Sequence, residues 1–429
     1  MSQGGYNLVC RVNPRNEDSI VIGGTNLFTS TDGFKTSKNT TWIGGYRKTK
    51  DRLDALYNGL VYENHHPDNH NFLFHPKNIN IGYSTNDGGI QRTDDLWRRD
   101  ADVVWESLNR AYFTTQFYII EMNQHPVKEH AMSDIILGGF QDNESQYIHA
   151  SGEPSQDWTR IACCDGSYAS IFDKEEFTYV LASKQLGVMY LLKYDANGDL
   201  EGGNRADPTG GVNYLFINPF ISNPITPEKI YLAAGSFIWR NKDISTLSLG
   251  NSDQTTDWNW ERISESNVRG KGTISALACS SVPANTLYYG TNGGGLFKIE
   301  NIEAENIEAV ELSTDEDPLD GAGYVSSISV DPKDANSVLL CFSNYNRKSI
   351  YHSTDGGSNW DHVSGNLEEN EDGKGSGPGC NVVRVLYNGN NEAVYFVGTT
   401  AGLYSTKSLT GTTTVWQQEG ADEIGNCSV

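Results

Sequence analysis

Residues 280–291 read Ser-Ser-Val-Pro-Ala-Asn-Thr-Leu-Tyr-Tyr-Gly-Thr, and they decide the fold because a related segment returns at 388–399, Asn-Gly-Asn-Asn-Glu-Ala-Val-Tyr-Phe-Val-Gly-Thr. Each segment reads as a polar turn followed by a β strand that ends at Gly-Thr. A short turn and a second strand follow, at 295–297 in the first copy and 402–404 in the second. A unit that recurs after roughly 50 residues is typical of a repeat architecture.

The same unit can be followed along the chain as about eight modules of three or four short strands. A four-stranded sheet cannot bury both of its faces alone, whereas sheets stacked around an axis cover one another. The sequence therefore predicts an all-β fold, a single β-propeller of seven or eight four-stranded blades over residues 1–429. The predicted modules are approximately 5–57, 58–110, 111–162, 163–209, 210–268, 269–320, 321–375 and 376–420.

Composition argues against several classes of protein. The 44 glycines and 11% aromatic residues suit short strands joined by tight turns. The formal net charge of -23 repels phosphate backbones, so we expect no nucleic-acid partner. No apolar run approaches the length of a membrane span and no signal peptide is evident, so we expect no membrane insertion. The seven cysteines are an odd number, which excludes a complete disulfide framework.

Two hairpin segments carry a serine, an aspartate and glycine in the same order. Residues 353–360 read Ser-Thr-Asp-Gly-Gly-Ser-Asn-Trp, and residues 30–36 read Ser-Thr-Asp-Gly-Phe-Lys-Thr. In such a turn the serine and aspartate bond to the turn backbone, glycine allows a positive φ, and tryptophan packs beneath. We therefore interpret these residues as structural and not catalytic. They are Ser30, Asp32, Ser353, Asp355, Gly357 and Trp360.

With these segments the chain resembles the Asp-box (BNR-repeat) β-propellers related to sortilin-type domains and xyloglucan-active glycosidases. It is more closely similar to large exported propeller proteins of Bacteroidetes type, in order and spacing over residues 66–143. One departure is Glu144, where the relatives often have glycine. The resemblance implies a propeller fold and an extracellular or cell-surface location, as part of a larger exported protein. The similar segments are 66–70 (His-Pro-Asp-Asn-His), 86–90 (Asn-Asp-Gly-Gly-Ile), 115–118 (Thr-Gln-Phe-Tyr) and 138–143 (Gly-Gly-Phe-Gln-Asp-Asn).

His66, Asp68 and His70 follow one another at every second position. On a β strand, all three side chains would lie on one face. Two imidazoles and a carboxylate on one face are able to bind a divalent metal, calcium or zinc, as a cofactor. The alternative is a hydrogen-bonded polar cluster that lines the propeller channel, and both interpretations stay open.

Asp87, Asp142 and Asp165 lie beside strands in successive modules, and Asp68 lies in the same module as Asp87. Equivalent loops of successive blades lie at the same end of a propeller channel, so these carboxylates are candidates to converge. Glycoside hydrolysis requires a pair of carboxylates, and the four are therefore the catalytic candidates. The alternative is that Asp87 and Asp165 only form tight turns before glycine. The residues predicted to bind a ligand beside them are His66, His70, Gln141 and Asn143.

These observations support two main hypotheses for function. The first is a secreted or cell-surface binding module for a glycan or protein ligand, because no carboxylate pair stands out from the turn-forming aspartates. The alternative is a glycoside hydrolase similar to xyloglucanases or sialidases, with a carboxylate pair at the channel end of modules two to four. A purely structural spacer is the third reading. For both the binding module and the hydrolase, the sequence predicts that the functional site lies between His66 and Asp165.

Overall fold

The computed structural model describes residues 5–46, 61–110, 115–152, 157–312 and 323–429. Within these ranges, 32 strands form eight four-stranded sheets, and each sheet takes four strands that are consecutive in the chain. Successive four-stranded antiparallel sheets of this kind are the blades of a β-propeller. The predicted all-β propeller fold is confirmed, and the described part of the chain holds eight blades.

The first four blades contain strands β1 to β16. Blade 1 comprises β1 (Val9–Asn13), β2 (Asn16–Gly23), β3 (Leu27–Ser30) and β4 (Thr40–Gly44). Blade 2 comprises β5 (Asn69–Phe74), β6 (Gly82–Asn86), β7 (Gly89–Thr93) and β8 (Glu106–Ser107). Blade 3 comprises β9 (Phe117–Met122), β10 (Ile135–Phe140), β11 (Ser145–His149) and β12 (Thr159–Ala162). Blade 4 comprises β13 (Gly166–Lys174), β14 (Phe177–Lys184), β15 (Val188–Tyr194) and β16 (Leu200–Arg205).

The last four blades contain strands β17 to β32. Blade 5 comprises β17 (Phe220–Ser222), β18 (Ile230–Ala234), β19 (Phe237–Asn241) and β20 (Trp260–Ile263). Blade 6 comprises β21 (Ile274–Ser281), β22 (Ala284–Thr291), β23 (Leu296–Ile299) and β24 (Ala309–Glu311). Blade 7 comprises β25 (Val325–Asp331), β26 (Asp334–Phe342), β27 (Ile350–Ser353) and β28 (Asp361–His362). Blade 8 comprises β29 (Cys380–Tyr387), β30 (Ala393–Thr399), β31 (Gly402–Thr406) and β32 (Gln417–Glu419).

Helical structure in the described residues is limited to single 3₁₀ turns in the connections. No helix among them is long and apolar enough to cross a membrane. The seven cysteines are all free thiols. The 3₁₀ turns are Ser37–Asn39, Gln185–Gly187, Ile244–Thr246, Ser264–Ser266, Gly365–Leu367 and Gly411–Thr413.

By contact density the chain divides into two compact units. Unit 1 consists of Met1–Phe117, Phe140–Gln146 and Thr159–Gly166. Unit 2 consists of Tyr118–Gly139, Tyr147–Trp158 and Ser167–Val429. Unit 1 thus contains blades 1 and 2, together with the β10–β11 turn and strand β12 of blade 3.

The core of unit 1 lies between blades 1 and 2. Val21 and Leu27 of blade 1 pack with Phe72 of blade 2, and all three side chains are fully buried. The indole of Trp105 closes this core and donates a hydrogen bond to the carbonyl oxygen of Ile43 at 2.7 Å. Apolar faces of neighbouring sheets thus cover one another, as the repeat requires.

In unit 2, an apolar layer is shared by blades 4 and 5, by 5 and 6, by 6 and 7, and by 7 and 8. Tyr231 of blade 5 packs with Tyr289 and Phe297 of blade 6, and the latter two rings stack at a centroid distance of 5.1 Å. Burial of one such side chain contributes roughly 1.5–3 kcal/mol. The middle strands of these blades are covered on both faces, and β18 (Ile230–Ala234) and β23 (Leu296–Ile299) contain only buried residues.

The two serine–aspartate segments form the same turn in blades 7 and 1, and we call them the Asp-box turns after the proteins that they resemble. The hydroxyl of Ser353 donates to Asp355 Oδ1 at 2.9 Å and accepts the backbone N–H of Gly357 at 2.8 Å. In blade 1, Ser30 donates to Asp32 at 2.9 Å. Trp360 lies beneath the blade 7 turn, buried in the layer between blades 6 and 7. The structure thus gives these residues contacts that stabilise a turn.

Candidate functional site

Three aspartates of unit 1 converge, and we call Asp68, Asp87 and Asp142 the acidic site. One carboxylate oxygen of each lies within 4.8 Å of the other two. Asp68 is buried, whereas Asp87 and Asp142 are half-buried. Three carboxylates at this separation repel one another when all are ionised.

Asp68 is held by the β2–β3 turn of blade 1. Its backbone N–H donates to the carbonyl of Thr25 at 3.1 Å, and the N–H of Asn69 donates to Gly24 at 2.9 Å. The backbone of Asp68 takes a left-handed φ of 62°, which few residues other than glycine adopt. Burial raises the pKa of the Asp68 carboxyl, and the hydrogen bond from the Asn7 amide opposes that rise.

Asp87 occupies the two-residue turn between β6 and β7. Asn86 pairs with Gly89, so Asp87 and Gly88 form the tip, and Asn86 Oδ1 accepts the N–H of Gly88 at 3.0 Å. A β-carbon at Gly88 would lie 2.5 Å from the β-carbon of His66, so only glycine fits there. The turn thus places the carboxylate of Asp87 next to the loop that carries His66 and Asp68.

Tyr6 and His70 hold the carboxylate of Asp87. The Tyr6 hydroxyl donates to both of its oxygens, at 3.1 and 3.0 Å, and His70 Nε2 contacts Oδ1. The rings of Tyr6 and His70 meet edge to face at 4.9 Å. Partial burial and the bond to Asp87 raise the pKa of Tyr6 to about 12, so the phenol remains a donor at neutral pH.

Asp142 lies in the turn between β10 and β11. The Phe140 N–H donates to the carbonyl of Glu144 at 2.9 Å and closes the turn, in which Asp142 has a φ of 55°. The backbone N–H of Asp142 donates to Asp165 Oδ1 at 3.1 Å, so the Asp165 carboxylate stabilises this turn. Burial raises the pKa of Asp142 to about 6, and the carboxylates of Asp165 and Asp87 add to the rise.

The structure corrects the expected placement of His66, Asp68 and His70. Strand β5 begins at Asn69, so only His70 lies on the strand. The left-handed backbone at Asp68 interrupts the alternation of side chains that the prediction assumed. The three residues therefore do not share one strand face.

The two histidine rings are engaged separately. The nitrogens of His66 lie against carbonyl oxygens, Nδ1 at 3.1 Å from Pro67 and Nε2 at 2.9 Å from Asp142. His70 contacts Asp87. The described group with ligating geometry is the acidic site instead. The metal-site prediction accordingly moves from two imidazoles and one carboxylate to three carboxylates.

Gln141 and Asn143, the other two predicted binding residues, flank Asp142 in its turn. The Gln141 N–H donates to the carbonyl of Gln116 at 2.9 Å, and the Asn143 amide donates to the carbonyl of Gln141 at 3.0 Å. The carbonyl of Asn143 accepts the side-chain amide of Gln146 at 2.8 Å. The side chain of Asn143 thus bonds to its own turn, and both residues position Asp142.

Glu144, the departure from the resembling proteins, also has a left-handed backbone, with a φ of 75°. This conformation explains why glycine is favoured there. The Glu144 carboxylate forms an ion pair with Arg160. Burial nevertheless raises the pKa of Glu144 to about 7, although Arg160 opposes the rise.

Sequence reasoning missed Tyr6, Asn7 and Tyr46, all contributed by blade 1 and its flanks. Tyr46 is 39% exposed. Its partial burial raises its pKa, and the negative charge of Asp68 raises that pKa further. Asn7 was detectable in principle, because it precedes the inner strand of its module as Asp68 precedes β5. Tyr6 lies 81 residues from Asp87 in the chain, and no motif spacing in the sequence indicates that the two residues are in contact.

The acidic site suits a compact cation. No lysine or arginine of the described ranges forms an ion pair with Asp87 or Asp142. Ca²⁺ binds oxygen at about 2.3–2.6 Å, so two oxygens on opposite sides of one ion are about 4.6–5.2 Å apart. The observed separations are all at most 4.8 Å, so they do not exceed the largest separation that ligands of one Ca²⁺ can have. An ammonium or guanidinium group would meet the same three carboxylates.

The chain has a weak similarity to several solved structures. No protein-family model and no curated protein matches the chain. A chain from the crystal structure of the mitotic checkpoint complex is 7% identical, with a TM-score of 0.41, over 75% of this chain and 84% of that one. YCF48 from Cyanidioschyzon merolae is 13% identical, with a TM-score of 0.40, over 77% and 92% of the two chains. U3-55K is 8% identical, with a TM-score of 0.41, over 83% and 92%.

Proposed function

We propose that this β-propeller is a noncatalytic binding module that holds the cationic part of a ligand at the acidic site. The observation that supports the proposal is the approach of three carboxylates to within 4.8 Å. A bound cation relieves the repulsion between them and replaces the proton that Asp142 otherwise retains. Binding rather than hydrolysis is favoured because three carboxylates this close together are able to ligate one cation.

The ligand set favours a hard cation over zinc. Ca²⁺ takes six to eight oxygen ligands, whereas zinc sites in proteins are built mostly from imidazole and thiolate groups. The nearby imidazoles contact Asp142 and Asp87 rather than a common point. Three carboxylates leave coordination positions open, which oxygens of a glycan or of a protein partner would complete. The partly exposed rings of Tyr6 and Tyr46 flank the site and offer aromatic surface to such a ligand.

Isothermal titration calorimetry tests this proposal. We expect CaCl₂ or Nα-acetyl-lysine amide to bind at one site per chain, with ZnCl₂ as the soft-metal comparison. Asp87→Asn should abolish the binding because it removes one carboxylate, whereas Asp355→Asn, the same change in an Asp-box turn, should preserve it. Absence of binding by both Ca²⁺ and the amine, or equal binding in Asp87→Asn, would contradict the proposal.

A glycoside hydrolase is the second candidate, because Asp142 has the raised pKa of a general acid, about 6, beside Asp87. Carboxyl groups are about 5–5.5 Å apart in retaining glycosidases and about 6.5–9.5 Å apart in inverting ones. The acidic site is closer to the retaining value. Release of reducing sugar from xyloglucan, lost in Asp142→Asn with the fold intact, would establish this activity in place of the binding module.

The extracellular or cell-surface location, membership of the Asp-box group and origin in a larger exported protein are also proposals. They rest on the resemblance over residues 66–143 and on the two Asp-box turns. Labelling of intact source cells with a membrane-impermeant reagent tests the location. The account predicts a labelled chain, and labelling only after lysis would overturn it.

A further inference from the structure

A groove in unit 2 lies between blade 5 and blade 6, away from the acidic site in the chain. Its volume is about 520 Å³, within the range of roughly 300–1,000 Å³ typical of ligand sites. One wall is the outer strand β20 of blade 5, and the other is residues 303–307, which connect β23 to β24. We call this space the β20 groove.

The open edge of β20 borders the groove. β20 is the last strand in its sheet, so in the described residues only β19 pairs with it. Glu261, Arg262 and Ile263 all line the groove, although successive side chains of a strand point to opposite faces. The groove therefore meets the strand along its edge, where unpaired backbone N–H and C=O groups are available.

Both walls are fixed before any ligand binds. Arg240 is only 6% exposed, and its guanidinium bonds to Glu261 at 2.8 Å and to the carbonyl of Ile302. Glu303 accepts the Lys229 ammonium at 2.6 Å. These contacts join blade 5 to the opposite wall, so little conformational entropy is lost when the groove is filled.

Four glutamates and three basic residues line the groove, so its net charge is negative. Among the basic residues, Arg262 lies over the Phe237 ring, 4.8 Å from its centre. Glu265 and Glu305 are exposed, and neither forms an ion pair in the part of the chain that the structure describes. Ile263 is buried, whereas Ile307 is half-buried and offers an apolar contact within a mostly polar groove. The unpaired carboxylates of Glu265 and Glu305 complement basic side chains of a bound segment, and Ile307 complements an apolar side chain between them.

We propose that the β20 groove binds an extended segment of a protein partner. The segment pairs with β20 as a fifth strand, sets an apolar side chain on Ile307 and places basic side chains near Glu265 and Glu305. Main-chain hydrogen bonds supply affinity in this mode, and alternate side chains supply specificity. The proposal is independent of the acidic site and of the ligand bound there.

Fluorescence anisotropy with a labelled peptide tests the side-chain contacts. The probe is fluorescein-Lys-Ile-Lys-Val-Lys-amide, and its analogue with glutamate in place of each lysine is the charge control. We expect the basic probe alone to bind. Reversing both rim charges in Glu265→Lys/Glu305→Lys should weaken binding by about tenfold or more. Glu201→Lys, an exposed charge reversal on β16 outside the groove, should leave binding unchanged.

Two N-methylated probes test the strand pairing. Successive N–H groups of a strand point to opposite edges, so methylation at Ile and at Val blocks one edge, whereas methylation at the central Lys blocks the other. We expect one methylated probe to lose binding and the other to retain it.

Equal binding of both methylated probes, failure of the basic probe to bind, or full binding by the doubly reversed variant would overturn the proposal. If Asp87→Asn abolishes binding and the rim variant does not, the peptide occupies the acidic site and the groove proposal is wrong. Loss in the rim variant alone leaves the proposed function untouched.

Discussion

Asp355 and Asp142 both lie in a turn between two strands of a blade, yet their surroundings move their pKa values in opposite directions. Asp355 accepts the Asn359 amide at 2.6 Å and its N–H at 2.8 Å, and these hydrogen bonds hold its pKa below the ordinary value. Asp142 is half-buried near Asp165 and Asp87, and burial raises its pKa to about 6. The same residue type therefore stabilises a turn in one region and remains available to a ligand in the other.

The backbone shows the same contrast. In the Asp-box turn, Gly356 and Gly357 take the positive φ values of 74° and 92°. At the acidic site, Asp68 and Asp142 take them, at 62° and 55°. Left-handed backbone costs a non-glycine residue about 1–2 kcal/mol, and such strain is concentrated at functional sites. Other turns of the repeat also hold non-glycine residues in this region, such as Phe34 at 62° and Asn391 at 66°, so the acidic site is distinguished by left-handed backbone together with converging carboxylates.

The largest effect should come from the tryptophan beneath the Asp-box turn. Trp360→Ala should lower the free energy of unfolding by about 3–5 kcal/mol, because a buried aromatic side chain leaves a cavity. Urea unfolding measures the change. Cation binding by the folded fraction should remain that of the wild type. A loss below about 1 kcal/mol would show that the turn is not anchored by this residue.

A smaller loss should follow from the serine of the same turn. Ser353→Ala removes the acceptor of the Gly357 N–H, so we expect the free energy of unfolding to fall by about 1–2 kcal/mol. Ser408→Ala, at an exposed position, should change it by less than about 0.5 kcal/mol. Equal effects of the two changes in urea unfolding would remove the structural role assigned to the Asp-box.

The acidic site should reveal itself in the pH dependence of stability. The folded chain retains the Asp142 proton up to a pH of about 6, whereas the unfolded chain releases it near the ordinary value of 3.8. The free energy of unfolding should therefore fall as the pH rises from about 4 to 6, by roughly 1–2 kcal/mol once its half-exposure is allowed for. Asp142→Asn should flatten this slope in urea titrations, and Asp355→Asn should keep it. An unchanged slope in Asp142→Asn would contradict the environment described for Asp142.

The smallest effect concerns a single hydroxyl. Tyr6→Phe removes the donor to Asp87, so cation affinity should fall by about two- to threefold through looser positioning of that carboxylate. Tyr345→Phe, an exposed tyrosine of unit 2, is the matched control and should have no effect. Calorimetric titration separates the two. Equal affinities would show that Tyr6 does not position Asp87.

The fold was predictable because strand alternation and Gly-Thr turns recur in register, as at residues 280–291 and 388–399. The approach of Asp68 to Asp87 and Asp142 followed from the equivalence of loops between modules. The prediction that His66, Asp68 and His70 share one strand face was wrong. The left-handed φ of Asp68 depends on tertiary contacts with Thr25, and the spacing of residues in the sequence does not reveal such contacts. The β20 groove likewise depends on an unpaired strand edge and on a connection from the next blade.

The measurement that tests the central claim most directly is proton release on cation binding at pH 6. Calorimetric titrations in two buffers of different ionisation enthalpy give the number of protons released. Because the pKa of Asp142 is about 6, the account predicts release of about half a proton per bound cation, whereas Asp142→Asn, which lacks one of the three carboxylates, should show neither cation binding nor proton release. Cation binding by the wild type without proton release, or the same release in Asp142→Asn, would contradict it.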